Sequence, residues 1–439
     1  MGKLDKNNIA NNLSKMIQIN TIKSDDLSEF YKFHSLLEKL YPTIYKKGEK
    51  ILIDGSLLIK IEGKNKNIKP MLIMSHTDVV EAEGNWTHPP FSGKIENNII
   101  WGRGTVDTKG SLCAFFEATE DLLKDGFIPE CDLYLASSID EETMGVGAKK
   151  TVDYLEKKGV KLGIVLDEGG AIVEAPMPGL SGHYAMLGIM EKGYANVEFI
   201  AKSKGGHSST PTNDTPIARL SAFINEVNTK SPFKKEITLP IKNMFLEMSK
   251  SMSQPYKFLF SNINIFSPIL KNILPQISSQ VNAMLTTTCA FTMISGSPAA
   301  NIIPETASVV ANMRFMIHQP MNESLGIIKN VAKKYDVDMN VLYAHDCSKT
   351  TDVNDKNYKY VCNCIKDVFE GVESSPYIML GGTDSRHYTR ICDSVIRFSP
   401  LKITKQQLQS IHAVDENISV DALYDATRFY RYFIENYKG

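Results

Sequence analysis

The chain has 439 residues, 43% of them hydrophobic and 23% charged, with 49 basic side chains against 50 acidic ones. That length allows two domains with a well-buried core, and a net charge of −1 gives no overall field to draw nucleic acid or an anionic membrane. No stretch reaches the roughly 18 uncharged apolar residues of a membrane span. The N-terminal residues lack the apolar segment of a secretory signal, and seven cysteines without a CxxC point to reduced thiols in the cytoplasm.

In chain order, apolar periodicity predicts helices near 7–18 and 25–40, the second with acids early and Lys39 late. ILIDGSLLIKIEG (51–63) reads as a β-hairpin turning near Asp54-Gly55. Three short apolar strands follow at 71–75, 131–138 and 162–167. Amphipathic helices lie between them, one ending at Gly126 and one at Gly159. Strand–helix–strand alternation predicts an open α/β sheet flanked by helices. From Glu191 the pattern changes to a smaller α+β unit: a strand in EKGYANVEFIAKS, a loop and helix from GGHSSTP, and a strand over 306–317. An apolar, helix-like stretch at about 232–285 is too long for an ordinary loop. Helix–strand alternation then returns to the C-terminus. The expected organisation is a catalytic domain in two parts, 1–190 and 316–439, with a lid inserted at 191–315.

Each strand of the first half runs into residues that bind metals. MLIMS is followed by His76-Thr77-Asp78, CDLYLASSID by Glu141-Glu142, and LGIVL by Asp167-Glu168. In open α/β sheets ligands bind beyond the carboxyl ends of the strands. Asp107 in the glycine-rich IWGRGTVDTKG and His412 in SIHAVDENIS complete a set of five: His76, Asp107, Glu142, Asp167 and His412. Nitrogen and oxygen donors alone suit zinc, or a similar first-row ion such as cobalt or manganese, better than calcium or a thiolate cluster. Two neighbouring dications repel, so a shared carboxylate must separate them. One bridge, two histidines and two acids meet that need. Glu141, beside a ligand, can serve as base, and Asp78 can accept the second ring N–H of His76. Taken singly each residue has a plainer reading, such as a capping acid or an Asx-turn. Their ordered conjunction favours a metal centre. GRGTVD lacks the full nucleotide-binding fingerprint.

HTDVV, WGRGTVDTKG, SSIDEETMGVGA, LDEGG, GGHSSTP, the Asn301–Arg314 pair, GGTDSR and IHAVDENIS resemble, in that order, the dinuclear zinc exopeptidase/deacylase family. The resemblance runs from about residue 70 to 420 and looks nearest to its carboxypeptidase S branch. It implies a zinc-exopeptidase catalytic domain with a ferredoxin-like lid, and two divalent ions. His76 and Asp167 would hold one ion, Glu142 and His412 the other, with Asp107 as the bridge and a cis Asp107–Thr108 peptide. It implies Glu141 as general base and then acid, His207 as an oxyanion donor from the lid, and a substrate carboxylate held by Asn301, Arg314, Gly382, Thr383 and Arg386. The implied reaction is cleavage of a C-terminal peptide bond or of an N-acyl amino acid. A dipeptidase or aminopeptidase of the same superfamily is the alternative, and a non-catalytic peptide-binding relative is the remoter one. In that family the lid often forms a homodimer and lends its histidine across it. Here the extra apolar stretch leaves open whether that contact is kept, reshaped or shielded.

Overall fold

The computed structural model describes residues 4–439. A mixed nine-stranded sheet forms its centre, in the order Glu49–Ile53, Ser56–Ile61, Leu133–Ser138, Met71–His76, Ile164–Asp167, Val395–Arg397, His183–Glu191, Val372–Met379, with Ile172–Glu174 paired beside His183–Glu191. Leu133–Ser138, Met71–His76 and Ile164–Asp167 are parallel neighbours. All three carboxyl ends therefore reach one edge of the sheet. The hairpin turns at Asp54 (φ 48°) and Gly55 (φ 89°), the pair of positive φ values that a two-residue turn of this type needs.

Helices cover both faces. Lys109–Lys124 and Val420–Asn436 pack together on one face, with Leu112, Phe115, Phe116, Phe429 and Phe433 all at 1% exposure or less. Burying side chains of this size stabilises by about 1.5–3 kcal/mol each. The other face carries the helix Gly147–Lys157 and the turn Ser385–Tyr388 over Leu72, Met74 and Val165.

The segment expected to form a lid contributes to a second, four-stranded antiparallel sheet in the order Thr288–Ser295, Thr306–Phe315, Gly193–Lys202, Asp338–His345, with the helices Pro216–Thr229 and Met321–Lys333 packed on it. The expected boundary at 315 therefore cuts through this unit, which runs on to His345. The strand Asp338–His345 is a largely exposed edge and has no clear apolar alternation, so its sequence does not announce it. The apolar stretch folds into four helices, Leu239–Ser249, Tyr256–Ser261, Ile263–Ile277 and Ser279–Leu285. Their shared core, with Ile241, Phe245, Phe260 and Leu270, also takes in Met190 and Ile378 from the central sheet. No described helix is long and apolar enough to cross a membrane.

Candidate metal centre

The converging strand ends build a cluster of imidazoles and carboxylates. His76, the last residue of its strand, is 2% exposed. Its Nδ1 lies 2.9 Å from the backbone carbonyl oxygen of Asp78 and 3.4 Å from the Asp78 carboxylate. That fixes the ring so that Nε2 points into the crevice, 3.0 Å from Asp107 Oδ1. The other Asp107 oxygen, Oδ2, lies 3.1 Å from Nε2 of His412, which is 3.2 Å from Glu142 Oε1. One carboxylate thus stands between two imidazoles. The Asp107–Thr108 peptide is cis, as the resemblance implied.

Two devices hold the acids in place. Asp78, fully buried, accepts the Glu142 N–H at 2.9 Å, while Asp140 accepts the N–H groups of Val146 and Gly147. Gly145 is required there, because a Cβ would meet Asp140 Oδ2 at 2.0 Å. The glycine-rich loop closes around Glu416, which is fully buried. Its carboxylate accepts from the N–H groups of Gly104 (3.0 Å), Val106 (2.8 Å) and Asp107 (3.1 Å) and from the Arg103 guanidinium (2.9 Å).

Asp167 and Glu168 part company. Within 4.8 Å of one another, ligand atoms form the groups His76–Asp107–Glu142 and His76–Glu141–Glu168; Asp167 is in neither. Val165 and Asp167 alternate onto the face covered by the Ser385–Tyr388 turn, where the Asp167 carboxylate accepts the Ser385 N–H at 3.0 Å. Glu168, one residue past the strand, has an oxygen 3.9 Å from His76 Nε2. Of the two neighbouring acids, Glu168 rather than Asp167 faces the His76 cluster.

The protonation balance shows a site short of positive charge. Burial raises the Glu141 and Glu168 carboxyls well above the ordinary range, and Asp107 and other nearby acids add to it. Burial opposes charge on Asp107 too, yet hydrogen bonds from His412 and His76 hold it far below that range. His412 is pushed up to about 10 by its hydrogen bonds to Asp107 and Glu142. Four acids crowded on two imidazoles, with oxygen and nitrogen donors only, fit a pair of divalent cations.

On the four-stranded unit, His207 and Asn301 are both exposed and their segments adjoin: the backbone carbonyl oxygen of Asn301 accepts the Ser208 N–H at 3.1 Å. His207 Nδ1 lies 2.8 Å from Ser209 Oγ. Arg314, half-buried on its strand, stacks over Tyr194 at 4.5 Å. Burial and then nearby Arg386 lower the proton affinity of its guanidinium. Arg386 itself donates to the Thr383 carbonyl oxygen at 2.7 Å. Thr383 departs from the expected substrate clasp: it is fully buried, and its N–H and hydroxyl both donate to Glu191. Gly382 lies beside it, with room for a Cβ only 3.5 Å from Glu191 Oε2.

Residues 72–436 match Peptidase family M20/M25/M40. The chain belongs to that family. It is a metal-dependent amide hydrolase, with a mixed open sheet flanked by helices. An N-fatty-acyl-amino acid synthase/hydrolase PM20D1 of Xenopus tropicalis is 32% identical, over 99% of this chain and 87% of its own length. A probable carboxypeptidase S-like 2 of Dictyostelium discoideum is 33% identical, over 98% and 85%. Among solved structures, an M20 family metallo-carboxypeptidase from Sulfolobus solfataricus has a TM-score of 0.66 at 20% identity, covering 97% of this chain and 98% of its own. Human carnosine dipeptidase 1 has a TM-score of 0.67 at 14% identity, with 98% and 96% covered.

Within this family member, three residues around the site went unread in the sequence. Glu191 and Arg397 form a buried ion pair at 2.6 Å that holds the GGTDSR turn. A lone arginine in the apolar VIRF run was the available signal, since a fully buried charge needs a partner. Glu416 had no such signal, because acids are ordinary in a loop such as AVDENIS.

Proposed function

We propose that this chain hydrolyses an amide bond next to a free carboxylate, in an N-acyl amino acid or at the C-terminus of a peptide. The observation that carries the reading is the Asp107 carboxylate, one oxygen 3.0 Å from His76 and the other 3.1 Å from His412. His76, Asp107 and Glu168 would hold one divalent ion, and Asp107, Glu142 and His412 the second. Zinc is the first expectation, with cobalt or manganese as alternatives. Ions held there supply Lewis acidity to a carbonyl oxygen and acidify water. Glu141, half-buried among these acids, takes the proton of the attacking water and passes it to the leaving amine nitrogen. His207 donates to the oxyanion that develops on the carbonyl.

Arg314 and Arg386 support the carboxylate side of the reading, because a guanidinium matches a carboxylate with two parallel hydrogen bonds. Asn301 on the lid and Gly382 beside Arg386 complete the clasp. A lid-borne histidine exposed at its tip fits supply from a second copy. The edge strand Thr288–Ser295, with Met293 67% and Ile294 72% exposed, is the surface for that homodimer. Seven free cysteines support a reducing, cytoplasmic setting.

The test is a substrate panel on protein loaded in turn with zinc, cobalt and manganese. N-acyl amino acids of increasing acyl length and blocked peptides with a free C-terminus should turn over. Amidation of the substrate carboxylate should lower kcat/KM by about 10- to 100-fold, the loss of a charge-assisted hydrogen bond or two. Dipeptide cleavage that ignores the carboxylate and demands a free amine would replace this reading with the dipeptidase one.

A further inference from the structure

The two faces of the four-stranded sheet differ. On the strands Gly193–Lys202 and Thr306–Phe315 every second residue, including Ala195, Val197, Ala311 and Met313, is fully buried in the core shared with the two helices. The residues between them, Tyr194, Asn196, Asn312 and Arg314, are partly exposed and share the other face, because side chains alternate along a strand. Tyr194 is paired in register with Arg314 on one neighbouring strand and with His345 on the other, and Asn196 is paired with Asn312. A row of hydrogen bonds crosses this face. Arg314 Nε donates to Asn312 Oδ1 at 3.1 Å. The Asn312 amide nitrogen donates to Asn196 Oδ1 at 3.0 Å, and the Tyr194 hydroxyl donates to the same oxygen at 3.0 Å.

The row can run in one direction only. A guanidinium carries donors and no acceptor, so Asn312 must turn its amide oxygen toward Arg314. Its amide nitrogen then faces Asn196, which must answer with its own oxygen. The charge of Arg314 thus sets the orientation of both amides behind it. The Tyr194 ring lies under the guanidinium at 4.5 Å and restrains it, with His345 stacked on Tyr194 from the neighbouring strand, centroids 6.0 Å apart and planes at 14°. With Nε taken, the two terminal nitrogens form the free edge, and neither has a protein partner among the described residues. A half-buried cation with a single donor paired calls for an anion. We propose that Asn312, oriented by Asn196 and Tyr194, presents Arg314 end-on so that both terminal nitrogens receive the substrate carboxylate, which makes Asn312, Asn196 and Tyr194 positioning residues for recognition. This role rests on the carboxylate reading above and adds which edge of the fork is used.

The test uses a pair of substrates, an N-acyl amino acid and its carboxamide, each run on the full, zinc-loaded chain and its variants. Asn312→Leu removes the acceptor at similar volume. It should lower kcat/KM for the acid by about tenfold, chiefly through KM, and for the carboxamide by less than about twofold. Asn312→Ala, which brings no bulk to the face, should repeat that split. Tyr194→Leu should lower kcat/KM for the acid by about fivefold, while Tyr194→Phe, which keeps the ring and loses only the hydroxyl, should cost it less than about threefold. Far-ultraviolet circular dichroism and bound metal should match the unaltered chain throughout. Equal losses on both substrates would make Asn312 a structural residue only and overturn the proposal. So would an acid rate that both Asn312 variants leave intact. An unaltered chain that cleaves acid and carboxamide equally well would instead sink the carboxylate reading, and this proposal with it.

Discussion

Asp167 and Glu168 are adjacent in sequence, but one faces Ser385 and the other the His76 cluster. Adjacent residues at a strand end alternate, so the sequence says that only one enters the crevice without saying which. Glu168→Gln should lose one of the two bound ions, whereas Asp167→Asn should keep both and lower metal affinity by no more than about 10- to 100-fold; metal analysis of the two variants decides between them. Glu141→Gln should retain both ions and lower kcat by about 10²–10⁴-fold, read in steady-state kinetics. His34 makes a separate prediction about stability. It is 3% exposed with both ring nitrogens unpartnered, and burial, with Lys50 nearby, depresses its pKa to about 4. Its ordinary value is about 6.5, so between those pH values the unfolded chain takes up a proton that the folded chain refuses. This contribution is therefore complete above about pH 6.5 and is lost as pH falls toward 4, with a slope of at most about 1.4 kcal/mol per pH. Denaturant titrations across that window should show a shallower fall in stability for His34→Leu.

Elements with strong periodicity were legible close to their ends. The helix expected at 7–18 spans Lys6–Ile17, and the strand expected at 162–167 spans Ile164–Asp167. These carry one clear apolar face or a fully buried run, and local pattern suffices for such cases. The insertion was legible only as apolar and helix-like. Its division into four helices depends on packing around Phe245 and Phe260, whose rings stack at 4.6 Å with planes 12° apart. Phe245 is fully buried. Phe245→Ala should cost about 3–5 kcal/mol through the cavity it leaves, measured as a lower midpoint in denaturant melts. The lid strand Asp338–His345 shows the opposite limit. It is held by pairing with Gly193–Lys202 rather than by a buried face, so no residue pattern marked it.

Across the whole molecule, divalent ions held at the proposed centre would supply cohesive charge among its carboxylates. Stripping them with a chelator should abolish hydrolysis and lower the melting temperature, because buried carboxylates are left facing one another; restoring zinc, cobalt or manganese should recover both in activity assays and thermal melts. The ordered ligand types alone pointed to a metal-dependent hydrolase of α/β architecture, since spacing along the chain already fixes which residues follow each strand. The tertiary structure decided which of two neighbouring acids faces the crevice and that the Thr383 hydroxyl is taken by Glu191. It also decided that a buried Glu416 shapes the Asp107 loop and that Asn196 orients the Asn312 amide. Each of these depends on contacts between residues far apart in sequence, and local periodicity carries no information about the direction from which a distant segment will pack.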